Sequence, residues 1–171
     1  ILWMNHVTDG LPALALGMEP AEPDVMARKG RQSATVLGLG DLAYFFAIGA
    51  IIAAGTLGVF IYELYYGGTP ERARTMAFTT IIFFQLFHAF NSRSQTHSVF
   101  KIGVFKNRMM LAAVGVALGL QVLVVQVGLF ESVFKTVALA PLDWALSIAV
   151  ASTVLIAMEL WKHFNRHPVV A

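Results

Sequence analysis

Apolar residues fall along the chain in five runs separated by short polar stretches. Ile1–Gly17 is mostly apolar but interrupted by Asn5, His6, Thr8, Asp9, Gly10 and Pro12. Leu42–Tyr66 has no ionisable side chain at its centre and would extend ~37 Å as a helix. Thr75–Phe90 is shorter and carries Gln85 and His88; it reaches membrane length only if Asn91 and Ser92 belong to it. Met109–Phe130 is a Val/Leu/Gly run with Gln121 and Gln126, and Leu142–Phe164 closes the set. A membrane helix needs about 20 apolar residues, which the second, fourth and fifth runs supply comfortably. The pattern predicts an all-α polytopic transmembrane bundle of five membrane segments, the first broken at Gly10/Pro12. Small residues in the second segment (Gly49, Ala50, Ala53, Ala54, Gly55, Gly58) suit close helix packing in lipid.

Composition agrees. Hydrophobic residues are 57% of the 171 and charged residues 13%, with mean hydropathy +0.69. Soluble domains carry about 25% charge, so a soluble fold would leave too much apolar surface in water. The chain has no cysteine, which excludes a disulfide framework, a zinc–thiolate site and a thiol nucleophile. The +2 net charge does not point to nucleic acid, because the basic residues flank the apolar runs. Nor is Ile1–Gly17 a signal peptide: no charged region precedes it, and it reads as starting in mid-helix, as a fragment of something longer would.

Charge placement orients the segments. Arg28, Lys29, Arg31, Arg93, Lys101, Lys106, Arg108, Lys162 and Arg166 fall on one side; Arg72, Arg74 and Lys135 fall on the other. Nine against three places loops 18–41 and 93–108 and the C-terminus in the cytoplasm. Within the first loop, Pro20 and Pro23 impose an extended path, and Glu19, Glu22 and Asp24 give it an acidic face. Such a strip serves either as a solvated linker or as a docking strip for a cytosolic domain.

Asn5, Thr8 and Asp9 carry the chemistry. Positions i, i+3 and i+4 share one helix face, so an amide oxygen, a hydroxyl and a carboxylate stand within one turn. These are hard oxygen ligands suited to calcium. A carboxylate inside an apolar segment is costly unless it has work to do. Gly10 and Pro12 would unwind the helix there, and broken helices in membranes expose carbonyls that coordinate cations. The plainer alternative is that Asp9 caps a helix resuming after Gly10.

The run Leu2-Trp-Met-Asn-His-Val-Thr-Asp-Gly-Leu-Pro-Ala-Leu-Ala-Leu-Gly17 resembles the sixth transmembrane helix of P-type ATPases of the calcium-pump class. Glu19-Pro20 through Glu22-Pro-Asp-Val-Met-Ala-Arg28 looks like the following loop of that family, and Phe84-Gln-Leu-Phe-His-Ala-Phe-Asn-Ser92 is similar to its eighth helix. Segments from Arg108 onward match the ninth and tenth helices in length and order. The resemblance implies cation ligands at Asn5, Thr8 and Asp9, with Asp9 shared where two ions bind. The eighth-helix ligand falls on Gln85, a neutral amide where the two-calcium pumps have glutamate, which favours one calcium per cycle. His6 stands where the family usually has an apolar residue and is expected to face a neighbouring helix.

The resemblance further implies Ca2+ as transported ion, with Mn2+ tolerated, and a plasma (inner) membrane location. ATP and Mg2+ would act only in nucleotide-binding and phosphorylation domains that this chain lacks. Catalytic residues are therefore not expected here. Partners are lipid and, through loop 18–31, the remaining helices and cytosolic domains of the same pump. The chain reads as a single transmembrane module with a cation-site helix (1–17), a cytosolic loop (18–41) and further helices over 42–66, 75–92, 109–130 and 142–164. A stand-alone membrane scaffold derived from such a pump is the alternative.

The other polar residues have structural readings. Glu63 and Glu159 sit near segment ends, and Gln121 and Gln126 are expected to bond across helices. His88 is equally a packed histidine or a neighbour of the site. Trp144, Trp161 and the tyrosines between 62 and 66 suit interfacial anchors. Loops Gly67–Arg74 and Glu131–Pro141 are short enough to leave little room for a partner outside the cytoplasm.

Overall fold

A computed structural model describes residues 9–20, 39–94 and 97–164, with side chains at 39–41 and 164 left aside. The described residues form eight α-helices and no strand. These are α1 (Gly10–Leu16), α2 (Leu39–Tyr65), α3 (Pro70–Asn91), α4 (Val99–Ile102), α5 (Arg108–Gln126), α6 (Gly128–Phe134), α7 (Pro141–Ala151) and α8 (Thr153–Phe164). Among the described residues three stretches are long and apolar enough to cross a membrane: Leu42–Tyr65, Arg108–Gln126 and Pro141–His163. Only 11% of the α2 stretch is buried, and Phe46, Leu57, Ile61 and Tyr65 all stand exposed. Apolar side chains turned outward along a whole helix face belong in lipid.

The third helix is longer than its apolar run. The sequence predicts a loop through Arg74, whereas α3 already starts at Pro70. Thr69 Oγ1 accepts the Arg72 amide, Pro70 takes a first-turn position that needs no donor, and Glu71 favours the positive helix start. Hydropathy misses this turn because its polar residues serve the cap. Twenty-two residues then reach ~33 Å.

α3 is also the centre of the bundle. Its Phe83 and Phe84 pack with Ile48, Ala151, Val154 and Met158. Met76 meets Val59, Val125 and Leu139; Ile82 and Leu86 meet Ala117; Ala89 meets Ala15 and Met110. A helix surrounded by protein can carry Thr75, Thr79 and Thr80 fully buried, because each finds a partner. Thr75 and Thr80 donate back to Glu71 and Met76 carbonyls, and Thr79 accepts from Gln121 Nε2 at 3.1 Å. The cross-helix role expected of Gln121 is therefore observed, and Gln126 donates to the Leu139 carbonyl at 2.7 Å.

Two predicted continuous helices are interrupted. Met109–Phe130 breaks at Val127, whose extended backbone separates α5 from α6, and α6 takes up the first four residues of the predicted Glu131–Pro141 loop. Thr136 Oγ1 donates to the Val124 carbonyl at 2.7 Å, taking up an acceptor the ended helix leaves free. Leu142–Phe164 is interrupted at Ser152. There Ser152 and Thr153 hydroxyls donate to the Ala149 and Val150 carbonyls, each at 2.7 Å, and such back-bonding bends helices.

Glycine packing in α2 also differs from expectation. Of Gly49, Gly55 and Gly58, Gly55 alone is pressed by neighbours: a Cβ there would lie 2.5 Å from the Phe84 ring and 3.1 Å from Val150. Gly49 and Gly58 face open space, and Ala50, Ala53 and Ala54 are exposed beside them.

Polar clusters close the two ends of the bundle. At one end Arg72 pairs with Asp143 at 2.8 Å and Glu63 at 3.0 Å, tying α2, α3 and α7. Asp143 Oδ2 also accepts the Ala140 amide that starts α7. Glu63 lies directly against Gly68, which has no side chain to exclude it. At the other end, Lys162 donates to the Asn91 carbonyl, Glu159 accepts the Val99 amide, and Asn91 Nδ2 reaches the Val154 carbonyl.

Candidate cation site between α1 and α3

α1 begins where the sequence is least comfortable as a helix. Asp9 lies in a π-type turn and Gly10–Leu16 is α-helical, so Gly10 and Pro12 both stand within helical backbone. Asp9 stands at the N-cap position, yet its carboxylate makes no capping bond. The capping alternative thus loses its usual energetic reason. Asn5, His6 and Thr8, with the rest of residues 1–8, lie outside the described residues.

Asp9, Pro12, Ala13 and Leu16 follow the i, i+3, i+4 rhythm, and that stripe is the continuation of 5, 8 and 9 in the sequence. Opposite them α3 presents Gln85, His88 and Ala89 at the same rhythm. The two stripes line one cavity of about 150 Å3. Gln85 lies six residues before the end of α3, about 9 Å along the helix from Asn91. The structure therefore brings Asp9 and Gln85, 76 positions apart, to a single cavity. It also decides the place of His88, which lines that cavity with its Nδ1 buried and without a hydrogen-bond partner among the described residues. Among the described residues no group of three His, Cys, Asp or Glu side chains stands close enough to hold a metal. The donors here are a carboxylate, an amide and an imidazole, set among Pro12, Ala13, Leu16 and Ala89.

A second assembly fixes the end of α1. Arg93, its side chain fully buried, grips both oxygens of Glu19, with Nε at 3.0 Å from Oε2 and Nη2 at 2.8 Å from Oε1. Its Nη1 also donates to the Gly103 and Val104 carbonyls. Asn107 Nδ2 donates to Glu19 at 2.6 Å and to the Ala15 carbonyl at 3.1 Å, while Asn107 Oδ1 caps α5 through the Met110 amide. Burial alone would raise the Glu19 pKa. Hydrogen bonds from Arg93 and Asn107, with the charges of Arg93 and Lys106, outweigh it and hold the carboxyl below the usual range. No sequence signal marks this clamp, since its members lie 74 and 88 positions from Glu19. Glu19 is accordingly no part of a solvated linker, as the plainer reading of the first loop would have it.

Residues 1–164 match the family model described as "Cation transporting ATPase, C-terminus". The chain is 41% identical over 169 residues to mouse calcium-transporting ATPase type 2C member 2, covering 97% of this chain and 18% of that protein. It is 38% identical to human calcium-transporting ATPase type 2C member 1 (97% of this chain, 18% of the relative) and 35% identical to calcium-transporting ATPase 1 of Bacillus cereus (95% and 20%). The chain thus spans about a fifth of the length of these curated relatives. A match over nearly all of its residues, joined to an all-helical membrane bundle, places this chain in the cation-transporting ATPase C-terminal family.

Proposed function

We propose that the chain is the membrane-embedded C-terminal part of an ATP-driven calcium pump, contributing Asn5, Thr8, Asp9 and Gln85 to the transported ion's site. The observation that carries this reading is the cavity that Asp9 shares with Gln85. Relatives named as calcium-transporting ATPases support Ca2+ as the ion. Hard oxygen donors suit it, and Mn2+ fits the same donors.

In this reading residues 1–17 are the cation-site helix, 18–41 a cytosolic loop and the remaining segments a scaffold. Loops 18–41 and 93–108 and the C-terminus face the cytoplasm, in a plasma (inner) membrane. ATP and Mg2+ act in domains outside these 171 residues. Movement of those domains reaches α1 through loop 18–31. Asp9 does the essential work: its charge offsets the ion's in a medium where an uncompensated cation is unstable. Gln85 offers a neutral oxygen, which leaves too little negative charge for a second divalent ion and favours one Ca2+ per cycle.

The test is Asp9→Asn in the full-length pump. Calcium-dependent phosphorylation from ATP should disappear while the protein still assembles in the membrane. Unchanged calcium dependence in that variant would remove Asp9 from the site.

A further inference from the structure

His88 is the cavity's unexplained polar group. Asp9 and Gln85 supply oxygen, whereas His88 brings a nitrogen, Nδ1, that is buried and unpartnered among the described residues. A buried polar atom without a partner is destabilising, so an apolar residue or a bonded one would be more stable there. Lys162 is occupied with the Asn91 carbonyl at 3.1 Å and Glu159 at 3.8 Å, and it does not line the cavity. Since His88 and Gln85 are one turn apart on α3, both stripes converge on the same space. That space, about 150 Å3, accommodates a cation with a few waters at roughly 30 Å3 each.

We propose that His88 is a further donor of this cation site, adding an imidazole nitrogen that raises its affinity for first-row transition ions such as Mn2+ relative to Ca2+. The inference rests on the assignment of Asp9 and Gln85 to the transport site. Calcium binds almost only oxygen, so a nitrogen gives it little. Transition ions accept imidazole readily, so the same nitrogen tilts selectivity toward them. A histidine at this place makes selectivity a property of one side chain on α3.

The experiment uses Mn2+ as the probe, bound to the full-length pump purified in detergent. Pulsed electron paramagnetic resonance detects 14N coupled to Mn2+. Asp9→Asn identifies the share of bound Mn2+ that belongs to the cavity. Wild type should show a 14N coupling on that share, and His88→Gln and His88→Asn should lose it. In phosphorylation assays the same variants should weaken Mn2+ more than Ca2+, by on the order of tenfold. Asp9-dependent Mn2+ with no nitrogen coupling in wild type, or coupling that survives both substitutions, would overturn the proposal. So would the absence of Asp9-dependent Mn2+ binding in a pump whose calcium-dependent phosphorylation still needs Asp9; that result leaves the calcium reading standing. Calcium-dependent phosphorylation indifferent to Asp9 removes both.

Discussion

Arg93 holds both carboxylate oxygens of Glu19, joining the end of α1 to the loop that follows α3. A planar guanidinium matches a carboxylate in this forked geometry, and lysine cannot reproduce it. The clamp's further bonds to Gly103, Val104, Asn107 and Ala15 leave few polar atoms unsatisfied. Arg93→Ala should therefore lower stability by about 2–3 kcal/mol, and Arg93→Lys should recover only part of it. Thermal unfolding in detergent, with the double variant Arg93→Ala/Glu19→Ala closing a mutant cycle, measures the coupling. Additive losses would show that the pair contributes nothing as a pair.

The same clamp has a pH signature. A carboxyl held below its ordinary value contributes stability that is full above about 4.3, the unfolded glutamate pKa, and is lost as pH falls through the folded value. Wild type and Glu19→Gln should differ most at neutral pH, with melting curves converging below about pH 4. A constant difference down to pH 3 would contradict the depressed pKa.

Gly55 is the tight point of the α2–α3 contact. Phe84 is fully buried and cannot swing away from an added methyl, so Gly55→Ala should destabilise by about 1–3 kcal/mol. Gly49→Ala and Gly58→Ala meet open space and should be neutral or stabilising through helix propensity. Unfolding of the three variants side by side separates packing from propensity. Equal effects at all three positions would refute the packing argument.

Gln121 and Thr79 offer a test of glue against pathway. Their bond is buried between α5 and α3 and lies outside the α1–α3 cavity. Gln121→Leu should cost less than about 2 kcal/mol, as cross-helix bonds in membranes generally do. It should leave the calcium concentration for half-maximal phosphorylation of the full-length pump unchanged. A marked shift would extend the site toward α5.

Where α2, α3 and α7 meet, Arg72 separates two carboxylates. Arg72→Met leaves Glu63 and Asp143 facing each other without their cation, and a loss of about 1–3 kcal/mol is expected. Adding Glu63→Gln to Arg72→Met should restore part of it, because one of the two like charges is then gone. Failure of that rescue would mean Arg72 acts by packing alone.

The all-helical character and the apolar exterior were legible in the chain because they depend on local periodicity and on the solvent outside. Lipid demands long apolar runs whatever the neighbours are, and i, i+3, i+4 spacing is a property of one helix. Helix ends were less legible: Pro70 and Val127 depend on caps and on carbonyls such as Val124 that find partners far away. The periodicity could not bring Asp9 to Gln85, which only the family resemblance implied, and the place of His88 and the Glu19–Arg93–Asn107 clamp were decided by tertiary packing alone. Each joins residues tens of positions apart, and a linear pattern records which faces are apolar but not which two faces meet.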